Sequence, residues 1–556
     1  MFSVAFTNIF MLAAPWILKN AINDLDTNVT SEGLARYAIL IVTVTVISAI
    51  FRFFMRQTMI VASRKVEYDF RDHFFTHLLT LDRPYYDKTP TGDIMARATN
   101  DMDSVRSMLG PGIMYSCSTI ISLTLAMALM VNISMKLTLL SMIPMPAITV
   151  LVFILGREIN KRYTKIQEQY SKITARAQES FSGIRVIKAY LQERAEIDDF
   201  STLNLDYIKK NMSMIKIWGM FFPAIVLFSG VMIIVVLWYG GKMVIDNTIM
   251  LGDFVAFTAY LLLLIWPLAA LGWVVGLYQR GKASLARIDQ ILQEKPIVRN
   301  VANPVSKPIK GKIVFKDLNF GYNSTPVINN INLEIEAGMN IAIIGDTGSG
   351  KSTLVSLLMH SYPIERGMIF IDDIDINDYS LESLRSQVVP VMQETFLFSD
   401  SIKHNIAYGN DKPGLESIRE FAAIAGISSE IEEFPENYET ILGERGITLS
   451  GGQKQRTALA RALTSDPKIL LLDDAFSAVD TRTEEEVLQN LKQIMSGRTV
   501  ITISHRVSTI KNADLILVLS DGAIIERGTH DELIKAGGNY SKIYERQLLK
   551  DELEAL

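Results

Sequence analysis

Six apolar runs, over residues 2–22, 37–54, 113–131, 137–155, 217–238 and 254–277, fill the first half of this chain. Each is long enough to cross a hydrocarbon layer of roughly 30 Å. In that layer only a helix or a closed barrel satisfies its own backbone hydrogen bonds, so the runs predict six transmembrane helices. A signal peptide is the alternative for the first run. It lacks a basic n-region, however, and a polar loop and a second long run follow it directly.

The segments between the runs alternate in character. Short polar connections at 23–36, 132–136 and 240–253 contrast with long charged stretches at 63–112 and 156–216. The long stretches carry the basic residues, among them Arg64, Lys65, Arg71, Arg97, Arg106, Arg157, Lys161, Arg162 and Arg176. The positive-inside rule places these stretches, and with them both termini, in the cytosol. They are rich in helix formers and poor in Pro and Gly. A helical arm of about 25 residues would reach roughly 37 Å below the bilayer. Arg52 and Arg56, near the inner end of the second run, read as side chains that snorkel to the headgroups rather than as substrate ligands.

Beyond residue 311 the pattern changes to short β-rich runs alternating with helical segments, as in an α/β domain with a largely parallel sheet. At 556 residues and 49% apolar content, the chain divides into a membrane domain over 1–294, a linker at 295–311, a cassette over 312–548 and a tail at 549–556. The net charge of −5, with no Lys/Arg-rich arm, excludes nucleic acid as a partner. The single cysteine, Cys117, forms no internal disulfide and has no assigned role.

The apolar strand ending at Ile344 runs into Gly345-Asp346-Thr347-Gly348-Ser349-Gly350-Lys351-Ser352-Thr353, a GxxxxGK[ST] loop between a strand and a helix. Such glycines let backbone N–H groups wrap phosphates, Lys351 reaches the β- and γ-phosphates, and Ser352 offers a hydroxyl to Mg²⁺. Downstream, the buried-strand run 469–472 ends in Asp473-Asp474. There one carboxylate can hold Mg²⁺ and a second can orient water. Between the two motifs, Ser450-Gly451-Gly452-Gln453 precedes a helix and forms a second anion-binding turn. One nucleotide has phosphates for only one cradle per chain, so the second cradle faces a nucleotide held by another chain.

This ordered set, over nearly the whole chain, resembles the half-transporters among ATP-binding cassette (ABC) exporters of bacterial multidrug-resistance type. The resemblance implies a membrane α-helical domain of type IV exporter architecture followed by an α/β P-loop NTPase cassette. ATP and Mg²⁺ are the implied ligands. The implied activity is ATP hydrolysis coupled to export of hydrophobic or amphipathic compounds, drug-like or lipid. Tyr322 resembles the aromatic that stacks on adenine, and Gly345 to Thr353 the phosphate loop. Gln393 resembles the glutamine that touches Mg²⁺ and senses the membrane domain. Ser450 to Gln453 resemble the signature, Asp473 the Mg²⁺ carboxylate, Ser477 to Asp480 the loop beyond it, and His505 the γ-phosphate switch. Ser352, Gln393 and Asp473 form the implied metal set, and Asp474, His505 and Gln393 the catalytic one. Residues 90–101 and 183–196 resemble segments that dock on the cassettes, and residues 443–446 the loop that meets them.

Two departures carry expectations. The family begins with an amphipathic elbow helix, whereas this sequence opens inside its first span. Where active cassettes have Glu after the Mg²⁺ aspartate, this chain has Asp474. The pattern resembles the subunit that owns the weak, degenerate site of a heterodimer. The expectation is a multi-pass protein of the cell inner (plasma) membrane, cassette in the cytoplasm, paired with a Glu-containing second half. The contrasting readings are a homodimeric lipid flippase and an ATP-gated membrane protein that does not pump.

Overall fold

The computed structural model describes residues 2–25, 30–323, 325–410 and 413–555. The polar connection expected at 23–36 lies partly outside them. The chain forms two compact units, Met1–Leu79 with Thr91–Glu294 and Thr80–Pro90 with Lys295–Leu556.

In the first unit, among the described residues, five helices are long and apolar enough to cross a membrane: Phe2–Leu25, Ser31–Thr80, Thr91–Ile133, Glu193–Ile245 and Leu251–Gln293. The fourth expected span is divided. Helix Met135–Met142 gives way at Ile143–Pro144, and helix Met145–Ser182 begins behind the break. Pro144 and Pro146 explain it, because each lacks the N–H that would continue the helical hydrogen-bond ladder across the break. Ser134 starts the first piece, its hydroxyl accepting from the Leu137 N–H at 3.2 Å.

Several of these helices outrun any bilayer. Ser31–Thr80 has 50 residues, about 75 Å at 1.5 Å per residue. The core gathers where Leu251–Gln293 packs along Phe2–Leu25 and the 113–133 stretch, around Leu12, Met130, Phe257 and Leu264. Helix Ser31–Thr80 contributes little to that core, and Ile39, Val42, Val46, Phe53 and Ile60 stay exposed. Apolar surface on that scale requires lipid or a second chain to cover it.

Of residues 90–101, only Pro90 groups with the cassette unit of the same chain. The segment that groups with the cassette is Thr80–Pro90, whereas residues from Thr91 onward belong to the membrane unit. Asp101 is buried against helix Leu251–Gln293, accepting from Ser284 Oγ at 2.8 Å and Arg287 Nε at 2.9 Å. Its hydrogen bonds to the Arg287 guanidinium hold the carboxyl below the usual range. An aspartate so engaged ties two long helices of one unit together.

Among the described residues the second unit carries ten strands: β1 Ile313–Tyr322, β2 Thr325–Ile335, β3 Asn340–Gly345, β4 Ile369–Ile371, β5 Ile374–Asp375, β6 Val388–Val391, β7 Ile469–Asp473, β8 Thr499–Ile503, β9 Leu515–Ser520 and β10 Ala523–Gly528. One sheet runs β10-β9-β3-β8-β7-β6, parallel except for the antiparallel edge β10. A second, antiparallel sheet runs β2-β1-β4-β5. Strands β7 and β8 are buried at every position, as parallel strands covered on both faces must be. Helix Lys351–Leu358 lies between the sheets, with Phe315, Ile343, Leu354, Val355, Ile501 and Leu517 in one core. At the far end, helix Asn539–Ala555 runs straight through the expected boundary at 548.

His360, just past helix Lys351–Leu358, is 5% exposed, and its Nδ1 has no hydrogen-bond partner. Burial, reinforced by Arg385 and only partly opposed by Asp375, lowers its pKa from 6.5 to about 4. Below pH 6.5 the unfolded chain therefore binds a proton that the folded chain refuses. Stability falls as pH drops from about 6.5 to about 4. Between pH 7 and 5 the loss amounts to about 2 kcal/mol. His360→Asn removes the proton linkage and suits the left-handed backbone there, at φ 48°. The denaturation midpoint of the full-length variant should change less between pH 7 and 5 than that of the wild type, by about that amount; equal slopes would refute it.

Candidate functional site

The phosphate-loop candidates sit where β3 ends. Gly350 caps helix Lys351–Leu358 at φ 100°, a conformation only glycine adopts freely, and a Cβ there would lie 2.7 Å from Ile328 Cδ1. The loop therefore keeps its N–H groups at the start of a helix, where an anion is favoured. Lys351 is buried. Its Nζ donates to the Gly345 carbonyl at 2.9 Å and the Asp346 carbonyl at 2.7 Å, folded back over the loop. Burial lowers its pKa, and Asp473, Asp346 and Asp474 counteract that shift.

A cavity of about 250 Å³ opens beside the loop, lined by Thr347, Gly348, Gly350, Lys351, Ser352 and Thr353. Gln393, Asp473, Asp474 and His505 complete its polar wall. Strand β7 delivers Asp473, which is 2% exposed and accepts from Ser352 Oγ at 3.1 Å. Burial raises its pKa, with a contribution from Asp474, while the Ser352 hydrogen bond and Lys351 oppose the rise. A carboxyl of this kind, beside a hydroxyl, is suited to a cation that removes its desolvation penalty.

Asp474 turns out of the strand with φ 49°, its N–H bonded to the Ile503 carbonyl at 2.9 Å. Its Oδ2 accepts from Gln393 Nε2 at 3.3 Å. The donors Ser352, Asp473 and Gln393 offer hard oxygens on one side of the cavity. Among the described residues no three His, Cys, Asp or Glu side chains group to hold a metal. That donor set fits Mg²⁺, which keeps waters and shares itself with phosphate oxygens instead of filling a protein cage.

Of the expected site residues, Gly345, Asp346 and Ser349 of the loop, Tyr322, and Ser450 to Gln453 are not in the lining of this cavity. Tyr322, at the end of β1, approaches the loop helix through its hydroxyl, 3.4 Å from Thr353 Oγ1, and its ring sits edge-on to Tyr362 at 5.1 Å. Ser450 to Gln453 open helix Gly451–Thr464 and do not line the cavity. Ser450 and Gln453 cap each other, with Ser450 N to Gln453 Oε1 at 2.8 Å and Gln453 N to Ser450 Oγ at 3.3 Å. Gly452 packs against the turn after Asp474, where a Cβ would lie 2.8 Å from the Ala478 carbonyl oxygen.

Several residues that organise the site carried no signal in the sequence. Gln455 binds Ser477 Oγ at 2.8 Å and the Ala478 N–H at 3.0 Å, joining the signature helix to the turn after the carboxylates. Arg506, next to His505, donates to the Val479 carbonyl at 3.0 Å and to the buried Glu484 at 2.5 Å. Gln547, on the last helix, clamps the His505 loop. Its amide donates to the His505 carbonyl and its Oε1 accepts from the Val507 N–H. Each is a single polar residue in an ordinary helix or loop, and only its long-range partners give it meaning.

Thr80–Pro90 carries a further set. Asp82 accepts from the Ile297 and Val298 N–H groups at 2.6 and 2.9 Å, fixing the linker. Asp87 accepts from Tyr362 OH at 2.5 Å, and the Arg83 guanidinium lies 5.9 Å from the centre of the Tyr362 ring. Tyr362 thus contacts both Tyr322 and this segment.

Comparison with known proteins places these features. Residues 1–268 match the model of the ABC transporter transmembrane region, and residues 328–477 match that of the ABC transporter. A probable multidrug resistance ABC transporter ATP-binding/permease protein of Bacillus subtilis is 36% identical over 98% of this chain and 93% of its own length. A multidrug resistance-like ATP-binding protein of Escherichia coli is 36% identical over 94% of this chain and 89% of its own. An ATP-dependent lipid A-core flippase of Syntrophus aciditrophicus is 32% identical over 97% and 90%. Among solved structures, a bacterial Atm1-family ABC exporter with ATP bound superposes with a TM-score of 0.82 at 27% identity, over 98% of this chain and 97% of the other.

Proposed function

The chain belongs to the ABC transporter family, with an exporter-type membrane domain ahead of an ATP-binding cassette, and on that premise we propose that it is one half of a pump moving hydrophobic or amphipathic compounds, drug-like molecules or lipids, out of the cytoplasm or inner leaflet. The observation that carries this is the separation of two cradles. Lys351, Ser352, Asp473, Asp474, Gln393 and His505 meet at one cavity, while Ser450 to Gln453 lie outside it. A complete site therefore takes the loop and carboxylates of one chain and the signature of another.

In this reading the loop N–H groups and Lys351 bind the phosphates, and Tyr322 stacks on the adenine. Ser352, Asp473 and Gln393 would hold Mg²⁺, which would supply charge neutralisation at the phosphates when bound. Asp474 orients water, and His505 contacts the γ-phosphate. The helices move with the nucleotide state through segments that reach the cassettes. Thr80–Pro90 serves the chain's own cassette, and the 183–196 tip serves the partner's. Exposed Phe181, Val186, Tyr190 and Leu191 support the latter, since such a tip needs a surface to cover it. The protein sits in the inner membrane with its cassette and termini in the cytoplasm.

The test is transport in proteoliposomes holding the full-length chain and its partner. An apolar dye should accumulate against its gradient with ATP and not with a non-hydrolysable analogue. Equal movement with the analogue would point to an ATP-gated passage instead of a pump.

A further inference from the structure

Gln453 makes two bonds to Ser450 at the start of helix Gly451–Thr464. Its backbone N–H donates to Ser450 Oγ, and its side-chain Oε1 accepts from the Ser450 N–H at 2.8 Å. The second bond needs one orientation of an amide whose two ends are nearly the same shape. With the amide turned over, Nε2 would face the Ser450 N–H, donor against donor. The outer end of the amide meets Glu430, on helix Ser428–Glu433, with Gln453 Nε2 donating to Glu430 Oε2 at 2.7 Å. An ionised carboxylate only accepts, so it selects the donor end of Gln453 and leaves the acceptor end for Ser450. Glu430 is itself held, because its Oε1 pairs with Arg456 Nη1 at 2.7 Å. Arg456 is 8% exposed, and it also donates to the Gly426 carbonyl and, through Nε at 3.3 Å, to the Gly452 carbonyl. The ion pair is neutral as a whole, so the carboxylate brings little net repulsion to a neighbouring anion cradle.

We infer that Glu430 is a positioning residue for the signature: it fixes the Gln453 amide, and through it the Ser450 turn, in the form that receives the phosphates of a nucleotide held by the second chain. Glu430 touches no nucleotide itself. The inference rests on the two-chain reading of the cradles and adds to it a residue 23 positions outside the motif. A turn already in its binding form loses less of its interaction energy to ordering when the phosphates arrive.

The donor or acceptor character of residue 430 is the variable to change, in the full-length chain with its partner. Glu430→Ala should lower ATP turnover about tenfold, the scale of one hydrogen bond to a charged group. Glu430→Gln keeps an acceptor for Gln453, and its own amide nitrogen can turn to water at this partly exposed position, so most turnover should remain. Glu430→Lys offers donors alone, which turns the Gln453 amide over, and should lose at least as much as Glu430→Ala. ATP affinity at this chain's own site, measured with the partner's site blocked, should stay at the wild-type value in all three. Glu430→Ala or Glu430→Lys at the wild-type rate, Glu430→Gln falling as far as Glu430→Ala, or own-site affinity falling in step with turnover would each overturn the positioning role. Ser450→Ala is measured beside them. If it leaves turnover intact, the two-chain reading falls and this inference with it. If it lowers turnover while Glu430→Ala does not, the role of Glu430 alone is refuted and the two-chain reading stands.

Discussion

Lys351→Met is expected to weaken ATP binding at this chain's own site by about 10² to 10³-fold, the scale of losing one preorganised charge aimed at a phosphate. Met fills the volume of the buried aliphatic stem, so the loop and helix Lys351–Leu358 should keep their places. What disappears is the ammonium, which now donates to the Gly345 and Asp346 carbonyls. Burial already disfavours its charge and three aspartates nearby restore it. That balance is expected of a cation waiting for phosphate. The measurement is nucleotide affinity with the partner's site blocked, alongside a thermal midpoint to confirm folding. Unchanged affinity at this site in a folded variant would sink the assignment of the loop.

Turnover should be strongly asymmetric between the two composite sites. We propose that Asp474 gives one site a weak catalytic carboxylate, while Ser450 to Gln453 give the other a competent signature. The carboxylate of Asp474 is one methylene shorter than that of Glu and engaged by Gln393 at 3.3 Å. A withdrawal of roughly an ångström is enough to cost about 10²-fold in rate. Asp474→Asn should therefore reduce turnover of the assembled pump only modestly. Substituting Ser450 or Gly451 or, under the proposed pairing with a Glu-containing second half, changing that glutamate to Gln, should lower it by about 10² to 10⁴-fold, the usual contribution of positioned acid–base groups. Gly451→Ala would place a Cβ 3.1 Å from Ala478 Cβ, which moves only with its main chain, so a thermal midpoint is measured beside its turnover. The chain purified alone should hydrolyse ATP slowly, and Asp474→Glu should raise that rate. Full-rate hydrolysis by the single chain, or Asp474→Asn as damaging as the partner's Glu→Gln, would restore a symmetric pump.

What was legible in the sequence is what depends on neighbours along the chain. The loop from Gly345 to Thr353 announces itself because strand, glycines and helix are contiguous, and the structure places it between β3 and helix Lys351–Leu358. Apolar length likewise marked the spans, and five of them are uninterrupted helices among the described residues. The break at Ile143–Pro144 was visible as prolines but lay inside a run that hydropathy alone reads as continuous. The tertiary structure decided everything that joins distant residues. It set Ser352 against Asp473 across 121 positions, Gln393 against Asp474 across 81, and Gln547 on the His505 loop across 42. It also grouped Thr80–Pro90 with the cassette unit and buried Asp101 against Arg287, 186 positions away. Helix propensity and hydropathy are sums over a short window, so they locate elements without orienting them. Which polar side chain finds a partner is settled only when elements pack and each buried group must be satisfied.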